Sequence, residues 1–245
     1  MVTFWRNSLK VERQVFERQL VDFGVDFEIW QKLDLVYIAK EADSSLLMSL
    51  PGYTEGWFYI QNLSSIMAVL AVNPLPDEKI LDIAAAPGGK TALMAVLMNN
   101  TGEILANDLS KERIFKMKQT FKRLGVVNVR IMNKPGEMVW RLYPNYFDKV
   151  LADVPCSMDD RVEVTAKRIA SLVPRQKRLI WSAFTCTKLG GRLVYSTCTS
   201  TKEENEEVVA GLLSSEPNLA KELLSERIVK DETMGTFFYS VIEKS

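Results

Sequence analysis

The chain has 245 residues, 47% of them hydrophobic and 25% charged, which is enough to bury one α/β core with a small appendage. It carries 31 basic and 31 acidic residues and no histidine, so the usual general base and the commonest metal ligand are both missing, and a Ser-His-Asp or Cys-His site is excluded. Its three cysteines, Cys156, Cys186 and Cys198, show no Cys-x-x-Cys spacing. Neither a metal site nor a disulfide framework is expected, and the compartment reads as reducing.

No run of 18 or more apolar residues is present, and the opening Met1-Val-Thr-Phe-Trp-Arg6 lacks the apolar region of a signal peptide. The expected setting is cytoplasmic without membrane attachment, or mitochondrial if a leader has been removed. Residues 1–50 read as a small mixed α+β unit: a polar entry, a helix around Val11 to Val21, and a short strand at Asp34-Leu-Val-Tyr-Ile-Ala39. Pro51-Gly52 marks a break, and residues 51–245 are expected to form the main domain. From there strands near 79–83, 103–108, 127–132, 147–152 and 191–196 alternate with helical stretches such as 89–99 and 111–124. That alternation predicts right-handed crossovers and a mostly parallel sheet, hence an α/β fold. Leu212 to Leu224 reads as a helix, and Phe237-Phe-Tyr-Ser-Val-Ile242 as a last strand able to insert antiparallel.

The first strand of the main domain, Lys79-Ile-Leu-Asp-Ile83, runs directly into Ala84-Ala85-Ala86-Pro87-Gly88-Gly89-Lys90-Thr91 and then an apolar helix. Gly88 and Gly89 allow a ligand to lie against the turn and the helix N-terminus. Twenty residues after Gly88, Asp108 ends the second strand, where a carboxylate can accept the hydroxyls of a ribose. A nucleoside ligand fits this pattern; a glycine turn needed only for packing is the plainer alternative. Both the Gly-x-Gly-x-x-Gly fingerprint and the Gly-x-x-x-x-Gly-Lys-Ser/Thr phosphate loop are absent, which disfavours pyrophosphate. S-adenosylmethionine needs a glycine turn and a ribose acid but no phosphate cradle.

Two cysteines sit just beyond strand ends. Cys156 closes Asp153-Val-Pro-Cys156, where Pro155 stiffens the exit and keeps the loop clear of the sheet. Cys198 closes Leu193-Val-Tyr-Ser-Thr-Cys198, and the following Thr201 and Glu204 have capping-box spacing for a helix carrying Val208 and Val209. A cysteine near a helix N-terminus gains thiolate character, which Glu203, Glu204, Glu206 and Glu207 would partly oppose. Cys186 shares the Thr-Cys dipeptide but lies in the apolar helical run Ile180 to Leu189, so it reads as core. In an open parallel sheet the crevice lies beyond the strand carboxyl ends, where Asp153, Cys156 and Cys198 would meet.

Taken together, these residues resemble the Sun-domain, Fmu/RsmB-like RNA cytosine-5 methyltransferases over nearly the whole chain. The resemblance rests on Arg6-Asn-Ser-Leu-Lys10, Gly56-Trp-Phe-Tyr-Ile-Gln-Asn-Leu-Ser-Ser65, Asp82 to Thr91, Asp153-Val-Pro-Cys156, Ser196-Thr-Cys198 and the closing Gly235-Thr-Phe-Phe238 through Lys244. It implies a Rossmann-like S-adenosylmethionine-dependent methyltransferase fold with its last strand antiparallel. By the same resemblance Cys198 is the nucleophile that adds to carbon 6 of cytosine, Cys156 assists breakdown of the adduct, and Asp153 hydrogen-bonds the base. The implied cofactor residues are Ala84, Ala85, Ala86, Pro87, Gly88, Gly89, Lys90, Asp108, Arg113, Gly136 and Asp153. The Arg6–Lys10 segment is one residue shorter than the family's, and one departure bears on the cofactor: Pro135-Gly136 stands where the family has Asp-Gly near the adenine, so Asn133 or a backbone carbonyl would have to accept the amino group.

The implied substrate is RNA, either tRNA or rRNA. Two basic runs are compatible with it: Lys111, Arg113, Lys116, Lys118, Lys122, Arg123 and Arg130, and Arg161, Lys167, Arg168, Arg175, Lys177 and Arg178. Such runs also occur as solvated helix faces. The charged loop Asp159 to Val173 is a candidate RNA contact. No further RNA-binding domain is recognisable, so a separate RNA-binding protein partner is admitted, and the chain itself is expected to be monomeric. The alternative function is a catalytically weak or inactive methyltransferase-fold subunit that binds RNA with a partner.

Overall fold

A computed structural model of the chain describes residues 1–157, 164–231 and 234–245. Its first element is a strand that the sequence reading passed over as a polar entry. β1 (Val2–Arg6) carries Phe4 and Trp5, both fully buried. Consecutive strand residues point to opposite faces, and here each face has its own core. Phe4 packs with Phe16, Tyr37 and Phe58, whereas Trp5 joins the cluster under the main sheet.

The N-terminal unit continues with α1 (Arg13–Asp22), β2 (Phe27–Ile29), β3 (Val36–Ala39), α2 (Ser44–Ser49), α3 (Pro51–Glu55) and β4 (Phe58–Ile60). Its strands form an antiparallel sheet in the order β2-β3-β1-β4. Pro51 opens α3, a position where its missing N–H costs nothing, so Pro51-Gly52 starts a helix inside this unit. Because β4 pairs with β1 through Phe4 and Ile60, we propose to close the N-terminal unit after Ile60 instead of at residue 50.

The main domain begins with α4 (Leu63–Val72), β5 (Lys79–Asp82), α5 (Gly89–Leu97), β6 (Glu103–Asn107), α6 (Lys111–Leu124) and β7 (Val129–Met132). A short 3-10 helix (Gly136–Arg141) leads to β8 (Phe147–Asp153), α7 (Ala166–Cys186), β9 (Thr187–Thr197), α8 (Glu206–Ser215), β10 (Ala220–Asp231) and β11 (Gly235–Lys244). Seven strands form one sheet in the order β10-β11-β9-β8-β5-β6-β7. The run from β9 to β7 is parallel, and β11 inserts antiparallel beside β9, as expected. No helix among the described residues is long and apolar enough to cross a membrane.

Two expectations along this stretch need correction. The helix read over Leu212 to Leu224 ends at Ser215, and Ala220–Asp231 is an edge strand paired with β11. Pro217 cannot continue a helix, and β10 has a largely exposed face whose weak apolar pattern resembles that of a surface helix. The capping box read from Thr201 and Glu204 is also absent. Helix α8 starts at Glu206 after Asn205, and Thr201 instead donates to the buried carboxylate of Glu204 at 2.9 Å.

The basic run 111–130 is divided. Lys111, Lys116, Lys118 and Lys122 are exposed along α6. Arg123 turns inward, lies 4.4 Å over the Tyr53 ring and donates to the Tyr53 carbonyl at 2.7 Å. Asn7 donates to the carbonyls of Gly56 and Leu124, tying the N-terminal unit to the end of α6.

Candidate active site

The order β9-β8-β5-β6 places the four segments singled out in the sequence side by side along the carboxyl edge of the parallel sheet. Loop 83–88 turns back over α5, with Gly88 at φ 100°. A Cβ at Gly88 would lie 2.7 Å from Met117 Cγ and 3.0 Å from Phe121, and one at Gly89 would lie 2.7 Å from the Tyr59 ring. Gly88→Ala is therefore expected to destabilise the protein by about 1–3 kcal/mol through left-handed strain and overpacking, measured by denaturant unfolding. An unchanged unfolding midpoint would contradict that packing.

Asp108 binds this loop from beneath. Only 4% exposed, it accepts from Ala86 N–H at 3.2 Å and Ser110 N–H at 2.8 Å. Arg113 pairs with the same carboxylate at 3.2 Å and donates to the Ala86 carbonyl. These two residues thus bond the loop at Ala86. Gly136 is also buried and packs against Leu179 and Ile83, where a larger residue would clash. Asn133 lies exposed beside it, with its amide nitrogen committed to the carbonyls of Asp108 and Leu109.

A cleft of about 260 Å³ opens between this loop and the segment following β4, lined among others by Tyr59, Asn62, Ala84, Pro87, Lys90 and Asp153. At its floor, Asp82 Oδ2 accepts from the Thr91 hydroxyl at 2.7 Å, while Oδ1 is buried without a hydrogen-bond partner. Burial raises the Asp82 carboxyl to about 7, outweighing the Thr91 hydrogen bond. The folded protein therefore retains a proton that the unfolded chain releases near 3.8. The associated stability is complete below about pH 4 and is lost as pH rises through about 7. Asp82→Asn should flatten this dependence between pH 5 and 8, measured by unfolding midpoints; parallel profiles for the two proteins would refute it.

Lys90 bridges from α5 to β8, its ammonium 2.7 Å from Asp153. Burial alone would lower the ammonium, but the Asp153 carboxylate more than offsets it and the net shift is upward. Asp153 Oδ1 accepts from Ser196 Oγ at 2.7 Å, which orients the carboxylate between β8 and β9. Lys90 is thus a fixed cation at the junction of the loop and the cysteines.

Cys156 and Cys198 meet across the ends of β8 and β9, with sulfurs 2.7 Å apart and the Cys198 N–H 3.3 Å from Cys156 Sγ. The hydrogen bond from Cys156 lowers the Cys198 thiol below its ordinary value; burial and Asp153 oppose this and Lys90 assists it. Cys198 is exposed and Cys156 half-buried. Both line a second cleft, of about 470 Å³, which shares Asn62 with the first and is also bordered by Arg168 and Thr236. Cys186, fully buried, is pushed up to about 12 by its apolar surroundings, as its reading as core implies.

The structure therefore brings together Asp153, Cys156, Cys198, Lys90 and the loop from Ala84. Asp108 and Arg113 bond that loop at Ala86, and Gly136 packs against Ile83 at its start. Tyr59 and Asn62 were not singled out as site residues; both lie within the quoted 56–65 segment, so the available signal was position in a motif and not residue chemistry. Arg168 falls in the 159–173 stretch read as a candidate RNA loop, which from Ala166 onward is the first part of helix α7 instead. Arg161 and the first part of the candidate RNA loop, residues 159–163, lie outside the described residues.

The mostly parallel seven-stranded sheet, with helices flanking it and β11 reversed, is the Rossmann-like fold of S-adenosylmethionine-dependent methyltransferases. A methyltransferase homologue from Pyrococcus horikoshii has a crystal structure that matches all of this chain and 86% of its own, at a TM-score of 0.87 and 29% identity. The chain belongs to the 16S rRNA methyltransferase RsmB/F family, whose model matches residues 69–238. It is 40% identical to the ribosomal RNA small subunit methyltransferase F of Klebsiella pneumoniae, over 86% of this chain and 47% of that protein. It is also 42% identical to the tRNA (cytosine(72)-C(5))-methyltransferase of Pyrococcus horikoshii, over 65% of this chain and 42% of that protein. The chain thus spans less than half the length of these curated relatives.

Proposed function

We propose that this protein methylates carbon 5 of cytosine in RNA with S-adenosylmethionine, through a covalent adduct at Cys198. The observation that carries the reading is the Cys198 thiol, in contact with Cys156 and lowered by it, at the mouth of a cleft adjoining the loop of the cofactor motif.

The residues present suit the cofactor. The buried, unpartnered Oδ1 of Asp82 is an acceptor that fits the ammonium of an amino-acid moiety, and the cleft needs no phosphate cradle. Tyr59, Ala84 to Pro87, Gly89 and Lys90 would hold it, with Asp108, the candidate ribose acid, and Arg113 bonded to the loop at Ala86. Bound there, S-adenosylmethionine supplies an electrophilic methyl group on a sulfonium.

Carbon 5 of cytosine is a poor nucleophile until a thiolate adds at carbon 6. The Cys198 sulfur forms that bond, and the ring electrons displaced by it make carbon 5 an enamine carbon able to take the methyl group. Asp153, fixed by Ser196 and Lys90, holds the base edge and stabilises the adduct. A base, the Cys156 thiolate, a carboxylate or water, takes the carbon 5 proton, and the electrons of that C–H bond re-form the ring double bond as the carbon 6–sulfur bond breaks and the Cys198 thiolate leaves. Cys156, touching Cys198, assists this step. Arg168 borders the cysteine cleft, and we assign its guanidinium a phosphate contact beside the target base.

The two relatives act by name on different RNA classes, so rRNA and tRNA both remain in the proposal. The test is transfer of labelled methyl groups from S-adenosylmethionine to tRNA and rRNA pools, with nucleoside analysis of the product. Label in 5-methylcytosine is expected. A protein that binds the cofactor but labels neither pool, even with cell extract supplying a partner protein, would favour the inactive RNA-binding subunit.

A further inference from the structure

The carboxylate of Glu204 is fully buried, and among the described residues no lysine or arginine pairs with it. Uncompensated, such a group is expensive to bury, so its partners must offset the cost. It has four, and all donate. Oε1 accepts from Ser157 N–H at 2.8 Å and Gln176 Nε2 at 2.8 Å; Oε2 accepts from the hydroxyls of Ser157 and Thr201. Each donor belongs to a segment that shapes the cysteine cleft. Ser157 follows Cys156 directly, and Thr201 lies three residues after Cys198. Gln176, on α7, also donates to the carbonyl of Pro155, immediately before Cys156, at 2.9 Å. The Ser157 hydroxyl is 3.4 Å from that of Thr199, the residue after Cys198. Tyr195, on β9, fixes the Glu204 backbone by donating to its carbonyl at 2.7 Å.

We propose that Glu204 is a positioning residue that clamps the Cys156 loop to the Cys198 loop and sets the contact between the two thiols. A carboxylate can accept from all four donors at once; two of them, a backbone N–H and an amide NH2, cannot reverse their polarity and both bond Oε1, and charge-assisted bonds are the stronger kind. A helix cap would need this side chain only near solvent; here it faces inward and ties two strand exits together. In its catalytic form the inference rests on the covalent reading above, but the clamp itself is a statement about the thiol pair and can be tested without RNA.

The experiment compares wild type, Glu204→Gln, Ser157→Ala and the exposed neighbour Glu203→Gln. Gln preserves volume and one acceptor, so folding, checked by unfolding midpoint, should persist. In the first measurement a diazene oxidant takes two electrons and two protons from Cys156 and Cys198, joining them as a disulfide, and the rate is followed by loss of titratable thiol. Glu204→Gln should slow this by about tenfold or more, the scale of a lost charge-assisted hydrogen bond, with Ser157→Ala intermediate and Glu203→Gln unchanged. In the second, single-turnover reactions with RNA are quenched in denaturant; Glu204→Gln should retain more covalent protein–RNA species than wild type, with the KM for S-adenosylmethionine unchanged. A folded Glu204→Gln with wild-type disulfide rate overturns the clamp, whatever the RNA result. A slowed disulfide rate in a protein whose wild type methylates no RNA leaves the clamp standing and removes the methylation reading. Equal adduct retention in an active enzyme removes the catalytic role.

Discussion

Cys198→Ala is expected to abolish methyl transfer, by roughly 10⁴-fold or more, the scale on which removal of a covalent nucleophile acts. Without addition at carbon 6, carbon 5 has no enamine character; the chain has no histidine, Cys186 is buried in the core with its thiol raised to about 12, and the one thiol in contact, Cys156, exits a different strand, so the attacking position itself is lost. Cofactor binding should persist, because the first cleft is lined by Tyr59, Lys90 and the 84–87 loop and not by Cys198. Equilibrium binding of S-adenosylmethionine together with labelled transfer to RNA checks both parts. Substantial residual transfer in a folded variant would exclude Cys198 as the nucleophile and with it the covalent route.

Cys156→Ala should behave differently. The attacking sulfur remains, so the adduct still forms, but the group touching Cys198 during its expulsion is gone. Steady-state turnover is expected to fall by about 10²- to 10³-fold, within the range for loss of a positioned proton-transfer group. A covalent protein–RNA species should accumulate and survive denaturing electrophoresis. The hydrogen bond from Cys156 is also the largest influence lowering the Cys198 thiol, so the variant's Cys198 should titrate nearer its ordinary value. At neutral pH this reduces the thiolate fraction and slows adduct formation; raising the pH should restore formation but not release. That split between formation and release is the signature to seek. A variant that forms no adduct at any pH would show that Cys156 is needed before attack, not after it.

The strands Lys79–Asp82 and Phe147–Asp153 and the helix Lys111–Leu124 were legible because apolar periodicity and flanking turn residues are local properties. β10 was misread because an edge strand has one exposed side and little apolar pattern, and its pairing with β11 depends on residues many positions away. β1 was missed because its two aromatic residues serve different cores, which hides the alternation that normally marks a strand.

The candidate site divides in the same way. The sequence alone determined the chemistry available: no histidine, two cysteines at strand exits, a glycine turn after β5 and an acid after β6. It also placed them at one edge, because parallel strands with right-handed crossovers leave their carboxyl ends together. Only the tertiary structure decided how those groups are used. It set the two thiols in contact, bonded Asp108 and Arg113 to the loop at Ala86, fixed Lys90 against Asp153, and drew Glu204 out of a presumed helix cap into the interior. Side-chain direction and partner choice depend on burial and on hydrogen-bond donors supplied by distant segments, and a carboxylate such as Glu204 is stable inside only where several of them converge.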